Sequence, residues 1–164
     1  MKEIDVSTPK YPNTFAMVDD VDYERLNKHK WYAHKERNAL YARRSIRLLN
    51  GKWTKIRMHR EILGLKNGDK RQVDHRSHKT LDNRRHNIRL ATVQQNQFNQ
   101  RPQQNKSSKY KGVSWHKDRS KWRSQIGING HCVHLGLFNS EIEAAKVYDK
   151  ATVKHFGEFA FTNL

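Results

Sequence analysis

Alternating apolar and polar residues predict short strands along much of the chain, most clearly near its end. Residues 112–116, 121–128 and 131–138 each read as a strand. The Asn129-Gly130 pair suits the tight turn of a hairpin, because both positions tolerate positive φ. Ser140 and Glu143 form a capping-box pattern, and the helix behind them is predicted to stop near Gly157. We therefore expect three antiparallel strands packed on one helix.

The first two thirds of the chain are less regular, but several elements are predicted. Strands are expected at 14–18, 39–44 and 52–57, with a short helix at 23–28 and another starting at residue 58. A strand at 71–75, a polar loop, a strand at 87–91 and a capped helix carrying Asn96 then follow. The aromatic residues Trp31, Tyr32, Tyr41 and Trp53 are expected in the core, and His59 is expected to be structural.

A polar stretch between residues 97 and 108, broken by Pro102, separates these two parts. We place the linker at 101–109. The predicted fold class is α+β, with a β-rich region at 1–57, a strand–loop–strand–helix module at 58–100 and the sheet–helix unit at 110–164.

The charge identifies the class of partner. The 164 residues carry a formal net charge of +17, concentrated between residues 52 and 125, which is typical of nucleic-acid-binding proteins. We find no apolar run long enough to span a membrane and no apolar signal-peptide core, so we expect an intracellular protein that is not secreted. Because Cys132 is the only cysteine, any metal must be held by oxygen or imidazole ligands, which favours Mg²⁺ or Mn²⁺ over structural zinc.

Within this basic background lies a cluster of residues suited to phosphodiester hydrolysis. The adjacent pair Asp74 and His75 is followed by Asn83, Asn87 and Asn96. A neutral imidazole can activate water, while one carboxylate and one amide, Asp74 and Asn96, would suffice to hold a hydrated Mg²⁺. The Asn87 amide is expected to orient the His75 ring. Asparagine-rich loops are also common turns, so on residue types alone a structural interpretation stays open.

The C-terminal sheet is expected to expose a polar face. Alternation along the central strand places Lys121, Arg123 and Gln125 on one side and Trp122, Ser124, Ile126 and Ile128 on the other. In the last strand, Val133, Leu135 and Leu137 are expected to share a face opposite Cys132, His134 and Gly136. Because one helix covers only one face, the basic face is free to enter a DNA major groove. A solvated face without a ligand is the alternative.

Four segments around the central cluster form a recognisable pattern: Met58-His59-Arg60-Glu61-Ile62-Leu63, Val73-Asp74-His75, Leu81-Asp82-Asn83 and Asn87-Ile88-Arg89-Leu90-Ala91-Thr92. This pattern resembles the HNH motif of homing endonucleases from phages and mobile introns. That resemblance implies a ββα-metal fold in which His75 is the general base, and Asp74 and Asn96 bind one Mg²⁺ or Mn²⁺ ion. It also implies that Asn87 orients the histidine and that Asn83 is the middle asparagine, with Asn96 standing where other members carry histidine.

The segment from Tyr110 to Leu164 resembles an APETALA-type, or ethylene-response-factor, DNA-binding domain. The matching residues are Tyr110-Lys111-Gly112-Val113, Lys121-Trp122, Leu135-Gly136-Leu137-Phe138 and Glu143-Ala144-Ala145-Lys146-Val147-Tyr148-Asp149. The resemblance implies a DNA-reading face made of Lys111, Ser114, His116, Lys121, Arg123, Gln125 and His134. Plant members carry more arginine at these places, and Ser114 and His116 depart from that pattern.

Together these features predict a site-specific, metal-dependent HNH homing endonuclease that nicks or cuts double-stranded DNA in the cytoplasm of a phage-infected cell or bacterial host. One such site cuts one strand at a time, so a monomer or weak dimer is expected, with two copies needed to break both strands. The alternative is a non-catalytic, sequence-specific DNA-binding regulator with a decayed nuclease module. An RNA-binding protein would require exposed aromatic residues on the sheet face, whereas Trp122 is expected on the helix-facing side.

Overall fold

The computed structural model describes residues 1–36, 38–102 and 106–164, so residues 103–105 of the predicted linker lie outside the described residues. The described chain is a mixed α+β protein with two compact units, Met1–Val93 and Gln94–Leu164. In the described ranges no helix is both long and apolar enough to cross a membrane. The elements of the chain are β1 Lys2–Asp5, β2 Phe15–Val18, α1 Asp20–Asn27, β3 Tyr32–Glu36, β4 Ala39–Arg47, β5 Trp53–Arg57, α2 Met58–Ile62, β6 Gln72–His75, β7 Ile88–Ala91, α3 Val93–Phe98, β8 Val113–His116, β9 Lys121–Ile128, β10 His131–Phe138 and α4 Glu141–Phe156.

The first unit contains three small antiparallel sheets, β1-β2, β3-β4-β5 and β6-β7. One hydrophobic core serves all of them, because Val6, Val18 and Leu26 pack in the same cluster as Met58 of α2 and Ile88 of β7. This apolar burial is the main force holding the sheets together. The region predicted as 1–57 therefore folds with the residues that carry the central motif.

Two strands of this unit were not predicted. Charged residues occupy three of the four positions of β1, and only Ala33 is buried in β3, so neither strand shows a clear apolar alternation. The expected core aromatics also separate. Trp31 is buried and donates its indole N–H to the Leu26 carbonyl oxygen at 2.9 Å, whereas Trp53 is 70% exposed. The prediction for Trp53 was wrong because its register partner, Arg47, lies on the solvent side of β4.

The second unit has the predicted hairpin, with β9 between β8 and β10 in an antiparallel sheet. The bounds predicted for β9 and β10 are confirmed. Helix α4 packs on the sheet through Ala144 and Ala145, which bury against Val113. The Ser140 side chain accepts the Glu143 backbone N–H, so the predicted N-terminal cap is confirmed.

Close packing of α4 against the sheet depends on Gly112. This residue has φ +75°, and a Cβ atom built there would overlap the ring of Tyr148. The chain end is tied to the same corner, since Asn163 accepts the Lys111 backbone N–H at 2.7 Å and donates its own N–H to the Asp149 carboxylate at 2.9 Å. The side of β9 away from α4 is thereby left for other contacts.

Candidate active site and nucleic-acid interface

The first half of the candidate site is built by the antiparallel pair β6 and β7. Its register places Asp74 opposite Arg89 and His75 opposite Ile88. Both Asp74 and His75 are buried, and each residue has 5% of its surface exposed to solvent. Apolar burial of Ile88 in the main core fixes β7 and therefore the strand that carries the two candidate residues.

Asn83 contacts the His75 ring. Its Oδ1 lies 3.4 Å from His75 Nε2, at the long end of hydrogen-bond distances. The Asn83 amide nitrogen donates to the Leu81 carbonyl oxygen at 3.2 Å and to Met58 Sδ at 3.6 Å, which assigns Oδ1 as the atom facing the ring. An amide oxygen only accepts, so Nε2 carries the proton of the neutral imidazole. The lone pair is then on Nδ1.

Burial sets the protonation state of His75. Desolvation lowers its pKa below the ordinary 6.5, although the contact with Asn83 and the carboxylates of Asp74 and Asp82 oppose that shift. The imidazole is therefore neutral at physiological pH. A neutral histidine is able to accept a proton from water.

Asn87 differs from its prediction. Its Oδ1 accepts the Ser77 backbone N–H at 3.0 Å, and its amide nitrogen donates to the carbonyl oxygens of Asp82 at 2.7 Å and Lys79 at 3.4 Å. Backbone groups of the loop thus engage both ends of the amide, so Asn87 does not orient the His75 ring directly. Asn83 is the asparagine that contacts the His75 ring, and Asn87 ties together the loop between Ser77 and Asp82.

Asp74 forms a buried ion pair. Its Oδ2 accepts two hydrogen bonds from Arg89, at 2.9 Å from Nε and 2.7 Å from Nη2. A carboxylate is also the kind of hard oxygen ligand that a divalent cation takes. The donor chemistry therefore fits a divalent ion. Asn96, the other predicted ligand, lies on α3 and is partly buried.

Carboxylates alone do not make a metal site in the described ranges. There, His, Cys, Asp and Glu side chains nowhere form a group of three or more that could hold an ion. A cation bound by Asp74 would need amide oxygens and water for its remaining ligands. That composition is usual for Mg²⁺, which keeps several of its waters.

Two aromatic residues adjoin His75 that sequence reasoning did not assign to the site. The His59 and His75 ring centroids lie 4.9 Å apart at an interplanar angle of 89°, and the Tyr41 ring centroid lies 6.1 Å from that of His75. Burial and the neighbouring cations hold the pKa of His59 well below 6.5, so it too is neutral. No local pattern relates these residues, because they come from β4, α2 and β6. His59 is buried as expected, but it also forms part of the wall around His75.

The sheet of the second unit brings most of the predicted DNA-contacting residues to one face. Its register pairs Arg123 with Ser114, and directly opposite residues share a face. Arg123 also donates to the Ser114 hydroxyl from two nitrogens, each at 3.3 Å. Six of the predicted DNA-contacting residues lie on this face, which is called the β9 face below: Ser114, His116, Lys121, Arg123, Gln125 and His134.

A β-bulge corrects the predicted pattern of β10. His134 pairs with Gln125 and Gly136 with Ser124, so Leu135 is an extra residue between them. Residues after the bulge change sides, which places Leu137 opposite Arg123 on the β9 face. The prediction that Val133, Leu135 and Leu137 share one side was wrong for this reason.

Lys111 has a different environment from the other predicted DNA contacts. Its ammonium lies 3.2, 2.6 and 2.8 Å from the carbonyl oxygens of Gln97, Phe98 and Gln100. Desolvation lowers its pKa to about 8. These carbonyls engage all three N–H groups of Lys111, so it stabilises the backbone after α3 and is not included in the β9 face.

Comparison with known proteins yields one relative that matches most of the chain and others that match about a third of it. An uncharacterised HNH endonuclease of Acanthamoeba polyphaga mimivirus is 32% identical over 154 residues, which cover 92% of this chain and 75% of the relative. APETALA2-like protein 2 of Oryza sativa subsp. indica is 41% identical over 59 residues, covering 35% of this chain and 13% of that protein. The ethylene-responsive transcription factor WRI1 of Arabidopsis thaliana is 38% identical over 58 residues, or 34% of this chain and 14% of the factor. No family model matches the chain.

Proposed function

Because this chain belongs to the family of HNH endonucleases, we propose that it is a site-specific, divalent-metal-dependent homing endonuclease that hydrolyses DNA. The observation that supports this proposal most strongly is the environment of His75. The ring is buried, held neutral and oriented by Asn83, with the Asp74–Arg89 pair on the same two strands. A purely structural histidine would not require this combination.

In the proposed reaction His75 acts as the general base. Nδ1 takes a proton from water, and the water oxygen forms a bond to phosphorus as the bond from phosphorus to the 3′-oxygen breaks. Asn83 keeps the other nitrogen protonated, so the basic lone pair stays on Nδ1. The rings of His59 and Tyr41 limit tilting of the imidazole.

Asp74, on the β6–β7 pair, is the proposed protein ligand of one divalent ion, Mg²⁺ or Mn²⁺. Asn96, the second ligand that the resemblance implies, belongs to the second unit. When bound, such an ion acts as a Lewis acid that stabilises charge on the phosphate and on the leaving oxygen. Arg89 holds the Asp74 carboxylate in a fixed orientation through two hydrogen bonds. We propose that this pre-orientation lowers the cost of assembling the site.

Target binding is assigned to the β9 face. The net charge of +17, the acid-free set of residues on this face and the similarity to APETALA2-like proteins support contact with double-stranded DNA. Bidentate donors such as Arg123 suit guanine in the major groove. One active site cuts one strand, so we propose that a monomer nicks and that two copies are needed to break both strands.

The Arg123→Ala variant tests the β9 face. If Arg123 reads a guanine, the variant should bind its target about 1–3 kcal/mol more weakly and lose discrimination at one base pair. Fluorescence anisotropy on a set of singly substituted duplexes measures both effects. Lys150→Ala removes one exposed charge from α4 and serves as the matched control. Equal weakening on every duplex would make Arg123 a phosphate contact.

The fall of the cleavage rate at low pH tests the protonation state of His75. Because burial lowers the pKa of this residue, the ring stays neutral to a lower pH than an exposed histidine. We therefore expect kcat/KM for DNA cleavage to be constant around pH 7 and to fall only below pH 6.5, as His75 takes up a proton. An inflection above 6.5 would show that the essential base is another group or that His75 is not desolvated.

A selection experiment tests the function as a whole. Duplexes bound by the full chain in EDTA are enriched from a randomised pool and then incubated with Mg²⁺. Cleavage of the enriched duplexes at one fixed position is the expected result. Enriched duplexes that bind but stay intact with Mg²⁺ and with Mn²⁺ would favour the non-catalytic regulator.

A further inference from the structure

A second group of cationic side chains lies in the first unit and is distant in sequence from the β9 face. It is a cavity of about 210 Å³ between β4, β5, α2 and the loop that follows α2. We call it the Arg43 pocket, and its lining residues are Arg43, Lys55, Ile56, Arg57, Arg60, Lys66, Asn67 and Gly68. Five of these eight residues are lysine or arginine, and none is acidic.

Strand register explains why the cations meet. Arg43 lies opposite Arg57, and Lys55 comes two residues before Arg57 on β5. All three side chains therefore project from the same side of the sheet. On the opposite side of β4, Ala42 is buried in the main core and Arg44 pairs with Glu61. The exposed Trp53 lies on the same side of β5 as Lys55 and Arg57. This side of β5 therefore continues past the cavity to an exposed aromatic ring.

The protein neutralises only part of this charge. Glu36 forms ion pairs with Arg57 and with Arg43, the latter at 3.2 Å. Arg60 donates to the carbonyl oxygens of Arg71 and Asp69, each at 2.7 Å, and these neutral acceptors do not cancel its charge. Two carboxylates, Glu36 and the Arg71-paired Asp69 beside Arg60, thus face the five cations of the pocket, and the remaining positive charge favours a bound anion.

Two buried donors also lack partners on this side of the sheet. In the part of the chain that the structure describes, Arg43 Nε and the Tyr32 hydroxyl have no hydrogen-bond acceptor. Tyr32 lies directly opposite Arg43 in the register of β3 and β4. Buried donors without acceptors are costly and rare in native proteins. An anionic oxygen entering the Arg43 pocket would supply an acceptor for Arg43 Nε.

We propose that the Arg43 pocket binds a backbone phosphate of the DNA substrate close to the scissile bond. The proposal rests on the proposed nuclease function. A phosphate offers anionic oxygens to several hydrogen-bond donors at once, which matches guanidinium and ammonium groups around a small cavity. The Arg57 guanidinium lies 5.5 Å from the Tyr41 ring centroid, and that ring centroid is 6.1 Å from the His75 ring. The pocket and the candidate base are thus linked through a single side chain.

The test measures DNA binding rather than cleavage. In the His75→Ala background, the full chain is titrated with a target duplex over a series of KCl concentrations. The Lys55→Gln/Lys66→Gln double variant removes two exposed charges of the pocket and retains the Glu36 ion pairs. Lys28→Gln, at an exposed position outside the pocket, is the control. A lost phosphate contact should reduce the slope of log Kd against log salt by about 0.9, equally on target and unrelated DNA.

The outcomes separate the pocket from the nuclease. A slope equal to that of Lys28→Gln overturns the pocket proposal even if wild-type protein cleaves DNA. A reduced slope in a chain that never cleaves keeps the pocket as a DNA phosphate site but removes the nuclease function and the place of the pocket beside a scissile bond. Failure to bind any DNA removes both. A parallel titration with inorganic phosphate at constant ionic strength distinguishes the source. The double variant could lose phosphate binding while its salt slope for DNA stays unchanged. That result would make the pocket a site for free anions and overturn the proposal.

Discussion

Replacing His75 with alanine is expected to lower the single-turnover cleavage rate by about 10²–10⁴-fold. The change removes the proposed general base but leaves the β9 face and its charges in place, so the Kd for target DNA should stay nearly constant. The rate is measured with enzyme in excess over labelled duplex, and the Kd by anisotropy in EDTA. Both values come from the same preparation, which makes a folding defect visible as lost binding.

Two results would contradict this account of His75. Unchanged cleavage by His75→Ala would show that another group activates water. Loss of binding together with cleavage would show that the buried ring is required for the fold. Asn83→Asp is a useful companion variant, because a carboxylate at that position would stabilise the charged imidazolium and raise the pKa of His75.

Arg89→Leu is expected to destabilise the first unit by about 3–5 kcal/mol. Asp74 and Arg89 are only 5% and 7% exposed, and removal of the arginine leaves the Asp74 carboxylate buried without its principal counter-charge. The free energy of unfolding in urea measures the loss. Fluorescence of Trp31, which is buried in the same unit, reports the transition.

The double variant Asp74→Leu/Arg89→Leu is the control for this prediction. It removes both charges, so it should recover part of the stability lost in Arg89→Leu. The double variant should not cleave DNA, because the proposed carboxylate ligand is gone. A double variant less stable than either single variant would contradict a burial penalty and point to packing of the Arg89 side chain instead.

Local sequence signals explain which elements were predictable. The Asn129-Gly130 turn and the Ser140 cap each depend on a few adjacent residues, and β9, β10 and α4 were predicted well for that reason. By contrast, β3 has one buried residue and β1 is mostly charged, so their pairing depends on distant partners. The bulge at Leu135 likewise follows from pairing with β9, which no pattern within β10 records.

The candidate site shows the same division. The sequence identified the adjacent pair Asp74-His75 as candidate site residues, and the structure buries both of them on one strand. Which asparagine faces the imidazole depends on how the loop folds, and the structure selects Asn83 where Asn87 was expected. The rings of Tyr41 and His59 reach His75 from other elements, so only the tertiary fold reveals them. The assignment of catalytic and metal-binding roles stays a prediction.

Cleavage of a supercoiled plasmid carrying the selected target tests the central claim most directly. Wild-type protein is incubated with the plasmid in Mg²⁺ and in EDTA, with a plasmid that lacks the target as the control. The proposed endonuclease predicts Mg²⁺-dependent conversion of the target plasmid to the nicked or linear form, and which of the two appears gives the number of strands cut. A plasmid that is bound yet stays supercoiled in Mg²⁺ and in Mn²⁺ would contradict the nuclease and leave a DNA-binding regulator.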